Sequence, residues 1–313
     1  MSTVTVNQDE WRDFLPNVHD TYPFIDPAKE IPSTSSSSSP SNNTSRGRSV
    51  LITGASKGIG LLTATRFATA GFTRIALAAR SPLDAAVAAV KQAAHEAGHT
   101  DPPPHVLALH VDVCSADSLR AAAEKKNNNN NNTGGGLDVL VNNAGYLERW
   151  ARIDESDPLE WWRTWEVNVH GVYLACKYFL PLVLRSELKT VVNVSSVGAL
   201  AARPTSSAYA TTKFAVCRLT EFLHNDHSRR GLVAIAVHPG AVKTELAQGM
   251  PEHMHAVLID EPALPADAML WLVRERRPWL SGRMVSCNWN FEELEARKQE
   301  IVDQDLLKFK MAL

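Results

Sequence analysis

Seven short runs of the chain are apolar almost without interruption: VLITG, RIALAA, VLALHVDV, LDVLVNNAG, TVVNVSS, LVAIAVHPG and GRMVSC. A strand with one wet face alternates apolar and polar residues. A continuous apolar run is instead the pattern of a strand covered on both faces, as in a parallel sheet. Parallel neighbours cannot be joined by tight turns and need crossovers, usually helices. The sequence supplies helical periodicity over Ile59 to Ala70, Leu83 to Glu96, Ala116 to Lys126, Pro158 to Leu184, Ser207 to His227 and Ala266 to Arg274. The alternation predicts an α/β fold with one doubly wound parallel sheet of about seven strands, a single domain over residues 48–290.

The flanks differ in composition. Residues 1–47 form an N-terminal extension whose residues 31–45, IPSTSSSSSPSNNTS, have too little apolar surface to offset chain entropy and are expected to be a linker. Before that tract, Trp11, Phe14, Leu15, Tyr22, Phe24 and Ile25 leave two outcomes open: docking on the body or a second subunit, or a flexible leader. Residues 291–313 predict a charged helical tail. Asn127 to Asn132, with Gly134 to Gly136, predict a solvent-exposed loop.

Lys and Arg number 32 against 34 Asp and Glu, a net charge of −2, which excludes a polycation that coats nucleic acid. No apolar run reaches the ~18 residues of a membrane span, and the start lacks the pattern of a secretory signal. The expectation is a soluble, cytoplasmic protein with no membrane partner. Cys114, Cys176, Cys217 and Cys287 are spaced neither as a redox pair nor as a zinc site, and His253 and His255 have no third ligand nearby. No metal is expected.

Thr53-Gly54-Ala55-Ser56-Lys57-Gly58-Ile59-Gly60 follows the first apolar run and opens into a helix. Gly54 suits a tight turn, Gly58 a close approach of backbone to a pyrophosphate, and Gly60 close helix packing, while the helix N-terminus favours an anion. Asn142-Asn143-Ala144-Gly145 ends the fourth run, at the carboxyl edge of the sheet where ligands bind in such folds. Tyr209 and Lys213 are four residues apart, on one face of a helix. Ser196 precedes Tyr209 by thirteen residues at a strand end, with Ser195 the lesser candidate, and Asn168 interrupts an apolar helical pattern.

Together these motifs resemble the short-chain dehydrogenase/reductase family and its fungal members, over nearly all of residues 48–290. The resemblance implies a Rossmann-type fold, a nicotinamide cofactor and a catalytic set of Asn168, Ser196, Tyr209 and Lys213. It implies that Lys213 also binds the nicotinamide ribose and that Asn168 supports a water-linked proton relay. His238-Pro239-Gly240-Ala241-Val242-Lys243-Thr244 is similar to the segment that holds the nicotinamide carboxamide, and His238 itself is read as structural. The cofactor set extends over Thr53, Gly54, Ser56, Lys57, Gly58, Ile59 and Gly60, over Asn142, Ala144 and Gly145, and over Pro239, Gly240, Val242 and Thr244. Asp112 and Val113, after the third run, resemble the adenine contact. Members commonly pair through the helix carrying Asn168 and the next one, which implies a homodimer or homotetramer.

A free phenol has a pKa of ~10, so acid and base work near neutrality needs a nearby cation, which Lys213 would supply. Tyr209 would then pass a proton to or from the substrate oxygen, with Ser196 holding that oxygen. The acidic residue that would bind the ribose hydroxyls of NAD is replaced by Ala79, followed by Arg80, and Lys57 lies in the glycine loop. Two cations on one phosphate predict NADP(H).

Leu246, Met250, Met254, Val257 and Leu258 would form an apolar lid facing Tyr146, Leu147, Trp150 and Leu200, which favours an apolar ketone or alcohol. The Leu280 to Asn290 region, with Trp279 and Trp289, resembles C-terminal sequences of fungal relatives linked to specialised metabolism. The expected function is NADP(H)-dependent hydride transfer; the alternative is a catalytically silent NADP(H)-binding regulator or adaptor.

Overall fold

The computed structural model describes residues 11–29, 47–128 and 136–311. The strands are β1 (Ser49–Thr53), β2 (Arg74–Ala79), β3 (His105–His110), β4 (Val139–Asn142), β5 (Thr190–Val194), β6 (Val233–His238) and β7 (Arg283–Ser286). They form one sheet in the order β3-β2-β1-β4-β5-β6-β7, every pairing parallel. This is the Rossmann-type doubly wound sheet. Strand order reverses between β1 and β4, which opens a crevice at their carboxyl ends.

The crossovers contain α1 (Gly58–Thr69), α2 (Asp84–Glu96), α3 (Ala116–Asn128), α4 (Pro158–Trp165), α5 (Gly171–Val183), α6 (Ser207–His227) and α7 (Ala263–Arg274). They cover both faces of the sheet. Val50 and Ile52 enter one apolar cluster with Phe67 and Trp271, while Leu51 between them enters the other with Leu140 and Phe179. That is why the central strands carry no polar alternation.

Two elements depart from expectation. β3 is not covered on both faces: His105, Ala108 and His110 are exposed, because it lies at the sheet edge. The single helix expected from Pro158 to Leu184 is a continuous helical run divided by a π-turn at Glu166–His170. It begins where the Asp157 carboxylate accepts from the N–H groups of Leu159 and Glu160, with Pro158 in the first turn. The π-turn carries Asn168, as such irregularities often carry functional residues.

The strand at the opposite edge, β7, is fully buried. Met284 N–H donates to Leu307 O, and Arg283 binds Asp305 and Leu306 O, so the chain end covers this edge. Within that end, α8 (Phe291–Ala296) and α9 (Lys298–Asp303) bury Phe291, Leu294 and Ile301 in the core.

Residues 11–29 lie against the same body. Trp11, Leu15 and Ile25 are buried in the core cluster that contains Trp271 and Trp289. The Trp11 and Trp289 rings are 4.8 Å apart, and those of Phe14 and Trp289 5.4 Å. Val18 N–H donates to Asn288 O, Asn290 N–H to Pro16 O, and Glu261 N–H to His19 O. This strap is therefore docked on its own chain. The Ser-rich tract at 31–45, Asn129 to Asn132, Gly134 and Gly135 lie outside the described residues. Asn127 and Asn128 continue α3 rather than opening a loop, and the Asn127 amide oxygen accepts from Arg185 at 2.8 Å.

Candidate active site

The loop between β1 and α1 is shaped by close packing. Gly54 (φ +66°) leaves no room for a side chain, since a Cβ would lie 2.9 Å from Ala144 Cα. At Gly60 a Cβ would lie 2.4 Å from both the Asn143 amide nitrogen and Gly54 O. Gly58 (φ +58°) faces open space, its nearest neighbour being Thr244 at 3.9 Å. No side chain caps α1, so its first N–H groups are available to an anion. A bare left-handed turn on an uncapped helix fits the pyrophosphate of a dinucleotide. Ser56 is half-buried at this crest, and Lys57 is exposed.

Not every residue expected to touch cofactor points outward. Thr53 is buried, its hydroxyl oxygen accepting from the N–H groups of Asn143 and Ala144 at 3.0 and 3.1 Å. Asn142 is also buried, donating to Asn193 at 2.8 Å and to the Cys176 sulfur at 3.3 Å between β4, β5 and α5. The residue that ties the two loops together is Asn143, whose amide donates to Thr53 O and Gly54 O. Sequence reasoning quoted its motif but gave it no role. Asp112 accepts from Cys114 N–H in its own turn, and Val113 packs against Gly171.

Ser196 and Tyr209 line one cavity of about 530 Å³, where the Ser196 hydroxyl oxygen accepts from Gly198 N–H at 3.0 Å. Ser195 is turned away: it is buried, with its hydroxyl donating to Lys213 O at 2.9 Å. Behind the cavity Lys213 is buried, its ammonium donating to Val194 O at 2.9 Å and lying 5.4 Å from the centre of the Tyr209 ring. Asn168 is buried beside it. Its amide oxygen accepts from Tyr146 N–H, and its nitrogen donates to Tyr146 O and to Thr212, the neighbour of Lys213. Glu148 accepts from Tyr209 N–H at 3.0 Å and fixes the start of α6, a contact with no local signal in the sequence.

Burial dominates the electrostatics of the site. Burial pushes the Tyr209 phenol up to about 12, against the Ser196 hydrogen bond that lowers it, and Glu148 raises it further. Burial likewise pulls Lys213 down to about 8. Desolvation disfavours the charged form of each group. His238 lines the cavity as a neutral ring, held near pKa 4 by burial.

Two cations were expected to converge on one phosphate. Lys57 instead pairs with Glu245 across the mouth of the loop. Arg80 is exposed at the end of β2 with no hydrogen-bond or ion-pair partner among the described residues, beside the buried Ala79.

Pro239, Gly240, Val242 and Thr244 line the cavity, and a Cβ on Gly240 (φ +88°) would meet Asp260 at 2.7 Å. Leu246, Met250, Met254, Val257 and Leu258 form one wall, with Leu147 and Trp150 also lining it. Tyr146 and Leu200 do not: the Tyr146 hydroxyl donates to Glu160, and Leu200 packs into the core. The strap contributes Arg12, Asn17 and His19 to the lining, a contribution the sequence did not reveal. Among the described residues no cluster of side chains could hold a metal, and no helix is long and apolar enough to cross a membrane.

The 3-ketoacyl-(acyl-carrier-protein) reductase of Brucella melitensis, solved with NADH, superposes with a TM-score of 0.64 at 27% identity, covering 77% of this chain and 96% of that one. A gluconate 5-dehydrogenase of Burkholderia cenocepacia J2315, solved with NADP and tartrate, gives 0.64 and 27%, covering 77% and 93%. A short chain dehydrogenase of Monascus purpureus is 48% identical over 295 residues, 94% of each chain. The family model described as short chain dehydrogenase matches residues 48–255. The fold thus agrees with the sequence relationships: the chain belongs to the short chain dehydrogenase family, oxidoreductases that interconvert carbonyl and alcohol groups with a nicotinamide cofactor.

Proposed function

We propose that this protein is an NADP(H)-dependent oxidoreductase that interconverts a ketone and a secondary alcohol on a largely apolar small molecule, in the cytoplasm and as a homodimer or homotetramer. The observation that carries the reading is that Ser196 and Tyr209 share the floor of a cavity walled by Leu, Met and Val side chains, with the Lys213 ammonium 5.4 Å from the centre of the phenol ring.

When bound, the nicotinamide supplies or removes the hydride. The chain manages the proton and the geometry. Tyr209 gives its proton to the carbonyl oxygen in reduction and takes one from the hydroxyl in oxidation. A phenol held near 12 is protonated at neutral pH, the state reduction requires. Ser196 donates to the same oxygen and fixes its position. Lys213, held near 8, exchanges protons close to neutrality and can refill the phenol. Asn168 positions α6 through Thr212, next to Lys213.

The crest of the glycine loop and the N-terminus of α1 would hold the pyrophosphate, the Pro239 to Thr244 turn the carboxamide, and Asp112 with Val113 the adenine. The unpaired Arg80 would hold the 2′-phosphate of NADP, since a guanidinium matches phosphate in charge and geometry. Lys57 can join it only by leaving Glu245, an exposed pair worth no more than ~1 kcal/mol. Exposed Leu159, Trp162, Tyr173, Phe214 and Phe222 on α4, α5 and α6 supply an apolar surface for subunit pairing. Four unpaired cysteines suit a reducing compartment.

The direct test is NADPH oxidation against aliphatic, aromatic, steroid-like and polyketide-like ketones, with NADH in parallel. Turnover that prefers NADPH and favours the apolar ketones is the expected result. A preference for NADH, or for polyols, would overturn the cofactor or the substrate assignment.

A further inference from the structure

The cavity is uneven in charge. Its lid is apolar, yet its lining includes Arg12 and His19 from the strap and Arg203 from the loop before α6. Among the described residues the only carboxylate in the lining is Asp260, which is already engaged. It is buried, one oxygen accepting from His19 Nδ1 at 2.6 Å and the other from Ala241 N–H. The His19 ring is thereby fixed by Asp260, and its Nε2 has no partner among the described residues. Arg12 makes one marginal side-chain contact, Nε to Asp13 at 3.5 Å, which leaves the ends of its guanidinium free.

We infer that Arg12 and His19 are specificity-determining residues of the substrate cavity, selecting carbonyl compounds that also bear an acidic oxygen group, a carboxylate or a phenolate. This rests on the oxidoreductase reading above and deepens it. An anion enters an apolar cavity only where cations and donors replace its water. Here the Arg12 guanidinium provides them, and the His19 ring, its Nδ1–H committed to Asp260, offers a second N–H in its imidazolium form, with no free carboxylate among the described lining residues to repel the ligand. The strap that carries both residues is anchored through Trp11, Leu15 and Ile25, and residues 16–19 are hydrogen-bonded to residues 261, 288 and 290. The backbone that presents both residues is therefore fixed, and the His19 ring is held by Asp260, which limits the ordering cost of binding.

The test is calorimetric binding of 4-acetylbenzoate, of 4-hydroxyacetophenone at a pH where it is a phenolate, and of the neutral 4-methylacetophenone, to protein saturated with NADP⁺. Wild type is expected to bind at least one of the anions tenfold or more tightly than the neutral ketone; which one separates carboxylate from phenolate. Arg12→Ala and His19→Ala should each lose at least fivefold for the anion and leave the neutral ketone unchanged. Arg12→Lys should retain most of the preference. In turnover the loss should fall on KM and spare kcat. No binding of either anion, equal affinity for charged and neutral ketones, or an equal loss for all three in the variants would overturn the inference.

NADPH oxidation in the same samples separates the two claims. Selective binding without turnover of any ketone would sink the oxidoreductase reading and leave the cavity assignment standing. Turnover without charge selectivity would do the reverse.

Discussion

The floor and the walls of the cavity are built by different means. The floor residues Asn168, Ser196, Tyr209 and Lys213 come from the π-turn, the end of β5 and one face of α6, where spacing along the chain dictates spacing in space. The walls come from residues 245–259 and from the strap at 11–29, which meet only because the chain folds back over the end of β7. The floor is consequently a matter of local geometry, and the walls are a matter of long-range packing. Chemistry and specificity are encoded separately.

The largest expected effect falls on the floor. Tyr209→Phe keeps the ring and removes the proton donor, so kcat/KM should fall by about 10²–10⁴-fold with NADPH affinity unchanged by fluorescence titration. A loss below tenfold would mean that another group supplies the proton. On the wall side, Ile25→Ala removes a buried side chain of the strap. It should cost about 2–5 kcal/mol in chemical denaturation. If the strap instead frayed alone, with the main transition unmoved, it would be an accessory of the body and not part of its core.

Lys213 sets function against stability. Its folded value lies below its ordinary 10.5, so between about 8 and 10.5 the unfolded chain holds the proton that the folded chain has lost. Stability from this group therefore rises with pH across that window, and below pH 8 the full cost of burying a charged ammonium is present. Lys213→Met should abolish turnover and yet stabilise the protein at pH 7 by about 3 kcal/mol, a gain that shrinks toward pH 10.5. Destabilisation at pH 7 would show that the bond to Val194 O outweighs desolvation. The smallest effect is expected at the rim: Arg80→Ala should lower the preference for NADPH over NADH by about tenfold, as loss of one charge-assisted phosphate contact implies, without altering the NADH parameters.

Much of the fold was legible because burial on both faces writes itself into composition. It failed at β3, where the same apolar letters occupy a sheet edge, since a short run does not reveal how many neighbours a strand acquires. The glycine loop was legible as a motif, but the division of labour within it was not. Thr53 and Asn142 turn inward to bond backbone and sheet, and Asn143 bridges the loops, because side-chain direction at a strand end depends on the neighbouring strand. The choice of Ser196 over Ser195 followed from its spacing to Tyr209, and just past the end of β5 the Ser196 side chain lines the cavity while the Ser195 hydroxyl turns inward to Lys213 O.

By itself the sequence determined the sheet, its crossovers, the dinucleotide loop and the grouping of the floor residues, all properties of period and local spacing. Only the tertiary structure decided that burial opposes the charge of both Tyr209 and Lys213, that Lys57 is engaged by Glu245, and that the strap supplies Arg12 and His19 to the cavity. Those outcomes depend on desolvation and on contacts between residues as far as 283 positions apart. No local pattern in a chain records such distances.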